Sequence, residues 1–154
     1  MDTNKLRTNR TKSLYDRDIL LWVEDTVTKL RNRNFEDLDI ENLIEEVESL
    51  GRSERRELLS RLTTLLEHLL KRLYVELPEN YRSWEITIRN QRIDIKQLLK
   101  ETPSLKSIWQ ESFRNALEIA LEKVMSEYEY VKFPDQWQYS TDLEIILSQK
   151  FWEQ

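Results

Sequence analysis

The chain has 154 residues, of which 34% are charged and 39% hydrophobic, with a formal net charge of −5 and a mean hydropathy of −0.70. That length favours one domain, and the balance of apolar and charged residues supports a packed core under a polar surface rather than wholesale disorder. A single glycine excludes a nucleotide-cradling glycine loop, the absence of cysteine excludes disulfides, thiolate metal sites and a cysteine nucleophile, and a lone histidine excludes a multi-histidine metal centre.

Helix breakers fall between periodic apolar segments: Gly51, Pro78, Pro103 and Pro134 divide the chain into about five helical pieces. Residues 1–13 read as a flexible polar and basic arm, and 14–154 as a single helical domain. The first helix opens with Ser13 and Asp16 at capping-box spacing and carries Ile19, Leu20, Val23, Val27 and Leu30 on one face. Asp39 caps a second helix striped by Ile40, Leu43, Ile44, Val47 and Leu50. From Arg52 to Glu57 no apolar residue follows, and a leucine stripe then runs through Leu58, Leu62, Leu65, Leu69 and Leu73. Gly51 as terminator and Ser53 as a fresh cap predict a break or sharp kink there. Ser83 to Glu101 forms the next helix, with Trp84, Ile88, Ile95, Leu98 and Leu99 inward. Thr102 and Pro103 start another, on which Leu105, Trp109, Phe113, Ala116, Ala120 and Val124 align. A short C-terminal helix capped by Thr141 ends the chain. No segment sustains a period of two, so the predicted fold is an all-α bundle.

Taken together, YDRDILLWVEDTVTKLR, FEDLDIENLIEEVESLGRSERRELLSRLTTLLEHLLK, RSWEITIRNQRIDIKQLLKETPSLK and FPDQWQYSTDLEIIL resemble a largely cyanobacterial family, domain of unknown function twenty-nine, from about Tyr15 to Leu147. The resemblance implies a small, all-helical, stand-alone protein and a nucleic-acid-binding role, and it hands over no catalytic residue.

Charge is segregated along the chain. Residues 35–51 hold seven acids and no base, whereas residues 52–100 hold eleven bases against seven acids. Mutual neutralisation within one fold is the simplest account, with Glu41, Glu45 and Glu48 pairing with Arg52, Arg55 or Arg89. Four features are candidates for function. Arg82, Arg89, Arg92 and Lys96 form a basic stripe able to follow a phosphate backbone, with Lys5, Arg7, Arg10 and Lys12 of the arm beside it. The negative net charge keeps any such nucleic-acid binding weak. Arg61 and His68 lie two helical turns apart on one face and resemble the arginine–histidine pair of helical ribonucleases, although Leu62 stands where that motif carries a polar residue. Glu41, Glu45 and Glu48 share a helix face and offer at most a carboxylate-rich Mg or Mn site. Finally, Tyr128, Tyr130, Phe133, Trp137, Tyr139, Phe151 and Trp152 crowd the C-terminal 27 residues, where they close an open end of the bundle, with Phe151 and Trp152 the candidates for exposure to a partner.

The sequence therefore reads as a helical binding module without catalysis, taking a protein partner, a second copy of itself or nucleic acid. The Arg61/His68 ribonuclease and the glutamate metal site are the alternatives. No cofactor is called for. The longest unbroken apolar run, Ile19 to Val23, is far too short to span a bilayer, and no secretory signal is read in the first fourteen residues, so a cytoplasmic location is the expectation.

Overall fold

The computed structural model describes residues 13–153, so the basic residues of the arm, Lys5, Arg7, Arg10 and Lys12, lie outside the described residues. Helices account for 77% of the described residues and none is in a strand, as the all-α reading requires. Six α-helices follow in order: α1 (Leu14–Arg17), α2 (Ile19–Arg31), α3 (Ile40–Tyr74), α4 (Pro78–Glu101), α5 (Trp109–Glu127) and α6 (Leu143–Ile146). Single stretches of 3₁₀-helix cover Pro103–Ile108 and Phe151–Glu153. By contacts the chain divides into two compact units at Gly51.

The N-terminal unit is built by capping. Ser13 Oγ accepts from the Asp16 amide and donates to its carboxylate, so the predicted capping box forms, but it opens a single turn only. Asp18 then ends α1 and caps α2 through the Leu21 amide at 3.1 Å. The end of α2 is a Schellman closure, with the Asn34 amide on the Lys29 carbonyl and the Arg33 amide on that of Leu30. Arg33 takes the left-handed position that such closures reserve for glycine, at φ 56°. Asp39 caps α3 through Asn42, as predicted, and accepts the Trp22 indole N–H, while the Tyr15 hydroxyl donates to Glu46 at 2.6 Å. Tyr15 stacks edge-on against Trp22, which with Thr26 makes up the buried residues of α2. The apolar rows read as core in this unit are exposed instead: Ile19, Leu20, Val23, Val27 and Leu30 on α2, and Ile40, Ile44, Val47 and Leu50 on α3. Helical period makes a face apolar; it does not supply anything to cover it.

The predicted break at Gly51 does not occur. Helix α3 is continuous for 35 residues, and Gly51 has no positive φ, so it plays no part as a left-handed terminator. Helical hydrogen bonding tolerates a glycine at a cost of about 0.5–1 kcal/mol relative to alanine.

In the C-terminal unit the leucine stripe is the centre of the core. Leu58, Leu62, Leu65, Leu66, Leu69 and Leu70 are all fully buried, each stabilising the fold by about 1.5–3 kcal/mol. Ion pairs fix the helix directions around it. Arg61 reaches Asp94 and Arg72 reaches Glu85, so α4 runs antiparallel to this part of α3. Lys71 reaches Glu127 and Lys123 reaches Glu67, so α5 runs parallel to it. Pro78 occupies the first position of α4, which thus starts more than a turn before the predicted Ser83. Pro103 starts a 3₁₀ stretch before α5, where Leu105, Trp109, Phe113, Ala116, Ala120 and Val124 are buried as predicted. The tail packs back as a ring cluster, Trp137 lying 6.0 Å from Phe113 and 5.4 Å from Phe151. Phe151 is therefore buried rather than offered to a partner, and Tyr130 is the exposed ring. Asp142, not Thr141, caps α6.

Because Gly51 sits inside a regular helix, Gly51→Ala is expected to raise the unfolding free energy by about 0.5–1 kcal/mol, measured by denaturant or thermal melts. A lower melting temperature would show that the helix depends on glycine at this point.

Candidate functional site

Helix α4 carries two faces of opposite use. Trp84, Ile88, Ile95, Leu98 and Leu99 face the core, while Arg82, Ile86, Arg89, Ile93 and Lys96 repeat at intervals of four and three residues and fall on one outward stripe. Ile86 and Ile93 are 39% and 56% exposed, so cations alternate with accessible apolar side chains. Arg82, Arg89 and Lys96 have no acidic partner among the described residues.

The C-terminal tail turns this stripe into one wall of a groove of about 540 Å³, with Leu147, Lys150 and Trp152 on the other side. Glu85, the carboxylate in the groove, is neutralised by Arg72 at 3.6 Å. The Arg72 guanidinium in turn stacks over Tyr81 at 3.8 Å and lies 5.3 Å from the centre of the half-buried Trp152 ring.

Arg92 has a different role from the rest of the predicted stripe. Its side chain is buried, and Nε donates to the Ile146 carbonyl at 2.9 Å while one terminal nitrogen donates to that of Gln149 at 2.6 Å. Burial pushes its pKa down to about 10, so it stays charged at neutral pH. Arg92 thus fastens the tail to α4 and sets the floor of the groove. Spacing carried a signal that separates it from Arg89: Arg92 stands four residues after Ile88 and three before Ile95, beside the inward row, whereas Arg89 falls in the outward one. Lys150 and Trp152 carried no signal linking them to α4, more than fifty residues away. Ile86 and Ile93 carried one, the regular alternation with the cations.

Elsewhere the predicted residues are held by neighbours. Arg61 bonds Glu57 at 3.1 Å and Asp94 at 3.0 Å. His68 Nδ1–H donates to the Thr64 carbonyl at 2.8 Å, one turn back on the same helix. A shallow hollow includes Arg61, Ser60 and Thr64 in its lining but not His68. Glu41 and Glu45 are exposed on α3, and Glu45, Glu48 and Arg52 each have a polar or electrostatic partner. Among the described residues no three histidine, cysteine or carboxylate side chains are grouped so as to hold a metal ion, Glu41, Glu45 and Glu48 included.

Burial lowers the His68 pKa below its ordinary 6.5; nearby Lys71 acts in the same direction, and the bond to Thr64 opposes them. The unfolded chain therefore takes up the proton first as pH falls. Stability from this group is complete above about pH 6.5 and is lost progressively below it. His68→Gln is expected to flatten part of the drop in melting temperature between pH 7.5 and pH 5.5; an unchanged drop would place the titration elsewhere. Arg92→Ala leaves two carbonyls of the tail without their donor and is expected to cost about 2–3 kcal/mol, read by denaturant melts.

No helix among the described residues is long and apolar enough to cross a membrane. No curated protein and no solved structure matches this sequence. Over residues 14–152, nearly its whole length, the chain matches the sequence model of the domain of unknown function DUF29, and it belongs to that family.

Proposed function

We propose that this protein is a helical binding module that does no chemistry of its own, and that its groove on α4 receives an acidic, amphipathic segment of a protein partner. The observation that carries this reading is the outward row Arg82, Ile86, Arg89, Ile93 and Lys96. Three cations lack acidic partners among the described residues, and two exposed isoleucines sit between them. A ligand matching that row needs carboxylates and apolar side chains alternating at the same spacing, as on one face of a helix. Trp152 and the stem of Lys150 add apolar surface on the far side of the groove. Arg61 and His68 are accounted for by their bonds to Glu57, Asp94 and Thr64, which supports a module without catalysis.

Nucleic acid is the second reading, favoured by the same cations, which extend over about 21 Å of helix. Against it stand the net charge of −5, the isoleucines between the cations and the engagement of Arg92 with the tail.

Fluorescence anisotropy separates the two. The probes are a labelled synthetic helix with leucine at every third and fourth residue flanked by glutamate, and a labelled oligonucleotide of similar length. The peptide is expected to bind at low salt, and Arg89→Glu with Lys96→Glu to weaken it about tenfold or more. Oligonucleotide binding without peptide binding, with affinity falling by about one log unit per phosphate contact for each log unit of salt, would move the assignment to nucleic acid. Binding of neither would overturn the groove as a ligand site.

A further inference from the structure

The cationic surface does not end at Lys96. Helix α4 runs one further turn to Lys100 and closes where the Thr102 amide bonds the Leu98 carbonyl at 2.8 Å. Pro103 then opens the 3₁₀ stretch, with the Leu105 amide on the Thr102 carbonyl at 3.1 Å, and this tight turn keeps Lys106 beside the end of α4. Lys96, Lys100 and Lys106 thus line one hollow of about 290 Å³, to which the buried side chains of Leu99 and Leu147 give an apolar floor. Lys96 and Leu147 line the α4 groove as well, so the hollow continues it. All of these residues belong to the C-terminal unit.

Charge in the hollow is unbalanced. Three lysines share it with one carboxylate, Glu144 of α6, a formal surplus of two positive charges. None of the three has an acidic partner among the described residues, and the adjacent Glu101 is taken by Gln97 at 2.8 Å. One carboxylate would offset half of that surplus. A phosphomonoester, with a charge of about −1.5 to −2 at neutral pH and three strong acceptor oxygens, matches it. Ammonium groups coming from two different elements also suit a tetrahedral anion, since each acts as a point charge without the planar geometry of an arginine fork.

We propose that this hollow binds a phosphorylated side chain carried by the same acidic segment that fills the α4 groove. This rests on the reading of the groove given above and identifies what selects its partner. Lys100 lies about 6 Å along α4 from Lys96, so the phosphorylated residue stands one turn beyond the part of the docked helix that meets Lys96. A helix accommodates a phosphate in its first turn, where the peptide dipoles favour an anion, and is disrupted by one in its last. The docked helix therefore brings its N-terminus to the lysines and runs antiparallel to α4. Without the phosphate, its positive end faces three cations; with it, an anion lies between the two. A terminal phosphate of nucleic acid has the same chemistry, but the strand carrying it would cross the exposed Ile86 and Ile93, which an amphipathic protein helix covers.

The test compares three labelled helical peptides by fluorescence anisotropy, each with leucine and glutamate spaced to match the groove and differing at one first-turn position: serine, glutamate or phosphoserine. The phosphoserine peptide is expected to bind about tenfold or more tightly than either of the others. Lys100→Ala with Lys106→Ala, changes at exposed positions, is expected to remove most of that gain while the serine peptide still binds, which also shows the variant to be folded. Arg89→Glu is expected to weaken all three. The gain of phosphoserine over glutamate is expected to grow as pH rises from about 5.5 to about 7.5, because the phosphate takes its second charge near pH 6.

Equal binding of the phosphoserine and glutamate peptides, or a gain that survives the loss of both lysines, would overturn the phosphate site and leave the groove reading standing. If no peptide binds, both fall. Binding of an oligonucleotide in place of the peptides would likewise overturn both and assign the whole cationic surface to nucleic acid.

Discussion

Burying a guanidinium is costly unless its donors find acceptors, and the C-terminal unit is arranged around Arg92, whose Nε and one terminal nitrogen each reach a backbone carbonyl. Arg92 projects from α4 to carbonyls that the end of a short helix leaves without partners. Ile146 is the last residue of α6, and its C=O has no helical donor of its own. A cation at a helix C-terminus also meets the negative end of the peptide dipoles. This pair of bonds holds the tail against α4, so that Ile146, Leu147 and Phe151 complete the core while Lys150 and Trp152 are delivered to the groove. A residue read as part of the basic stripe is therefore the one that fastens the tail beside it.

The leucine seam of α3 and the cation row of α4 act at different levels. The seam is non-directional, and burial of six leucines stabilises any arrangement that removes them from water. Ion pairs at Asp94, Glu85, Glu127 and Glu67 select one arrangement among those, each worth little on the surface but incompatible with another helix direction or register. Once those acids are committed to Arg61, Arg72, Lys71 and Lys123, Arg82, Arg89 and Lys96 remain without acidic partners among the described residues. The groove is cationic, despite a negative net charge, because Glu85, the carboxylate in its lining, is taken by Arg72.

In the N-terminal unit the balance differs. Polar bonds to Asp39 and Glu46, with the Tyr15–Trp22 ring contact, fasten α1 and α2 to the start of α3. Few apolar residues are buried there, and the rows on α2 and α3 remain accessible. Helical period groups these side chains on one face of each helix without supplying anything to cover it.

Several features could be read from the residues alone because they depend on local rules. Helix content, the caps at Ser13 and Asp39, the buried faces of α4 and α5, and the leucine stripe all follow from periodicity and side-chain geometry within a few turns. So does family membership, which rests on the order of residues. The continuity of α3 through Gly51 did not follow, because a glycine costs a helix only about 1 kcal/mol, and neighbouring turns outweigh it. Nor did the exposure of Ile40, Ile44 and Val47, since an amphipathic pattern marks a face that needs covering without saying whether the same chain covers it. What Arg92 bonds was decided by tertiary structure alone. Its place four residues after Ile88 and three before Ile95 sets it beside the inward row, but a guanidinium is buried there only because the tail, distant in sequence, brings two carbonyls to accept from it.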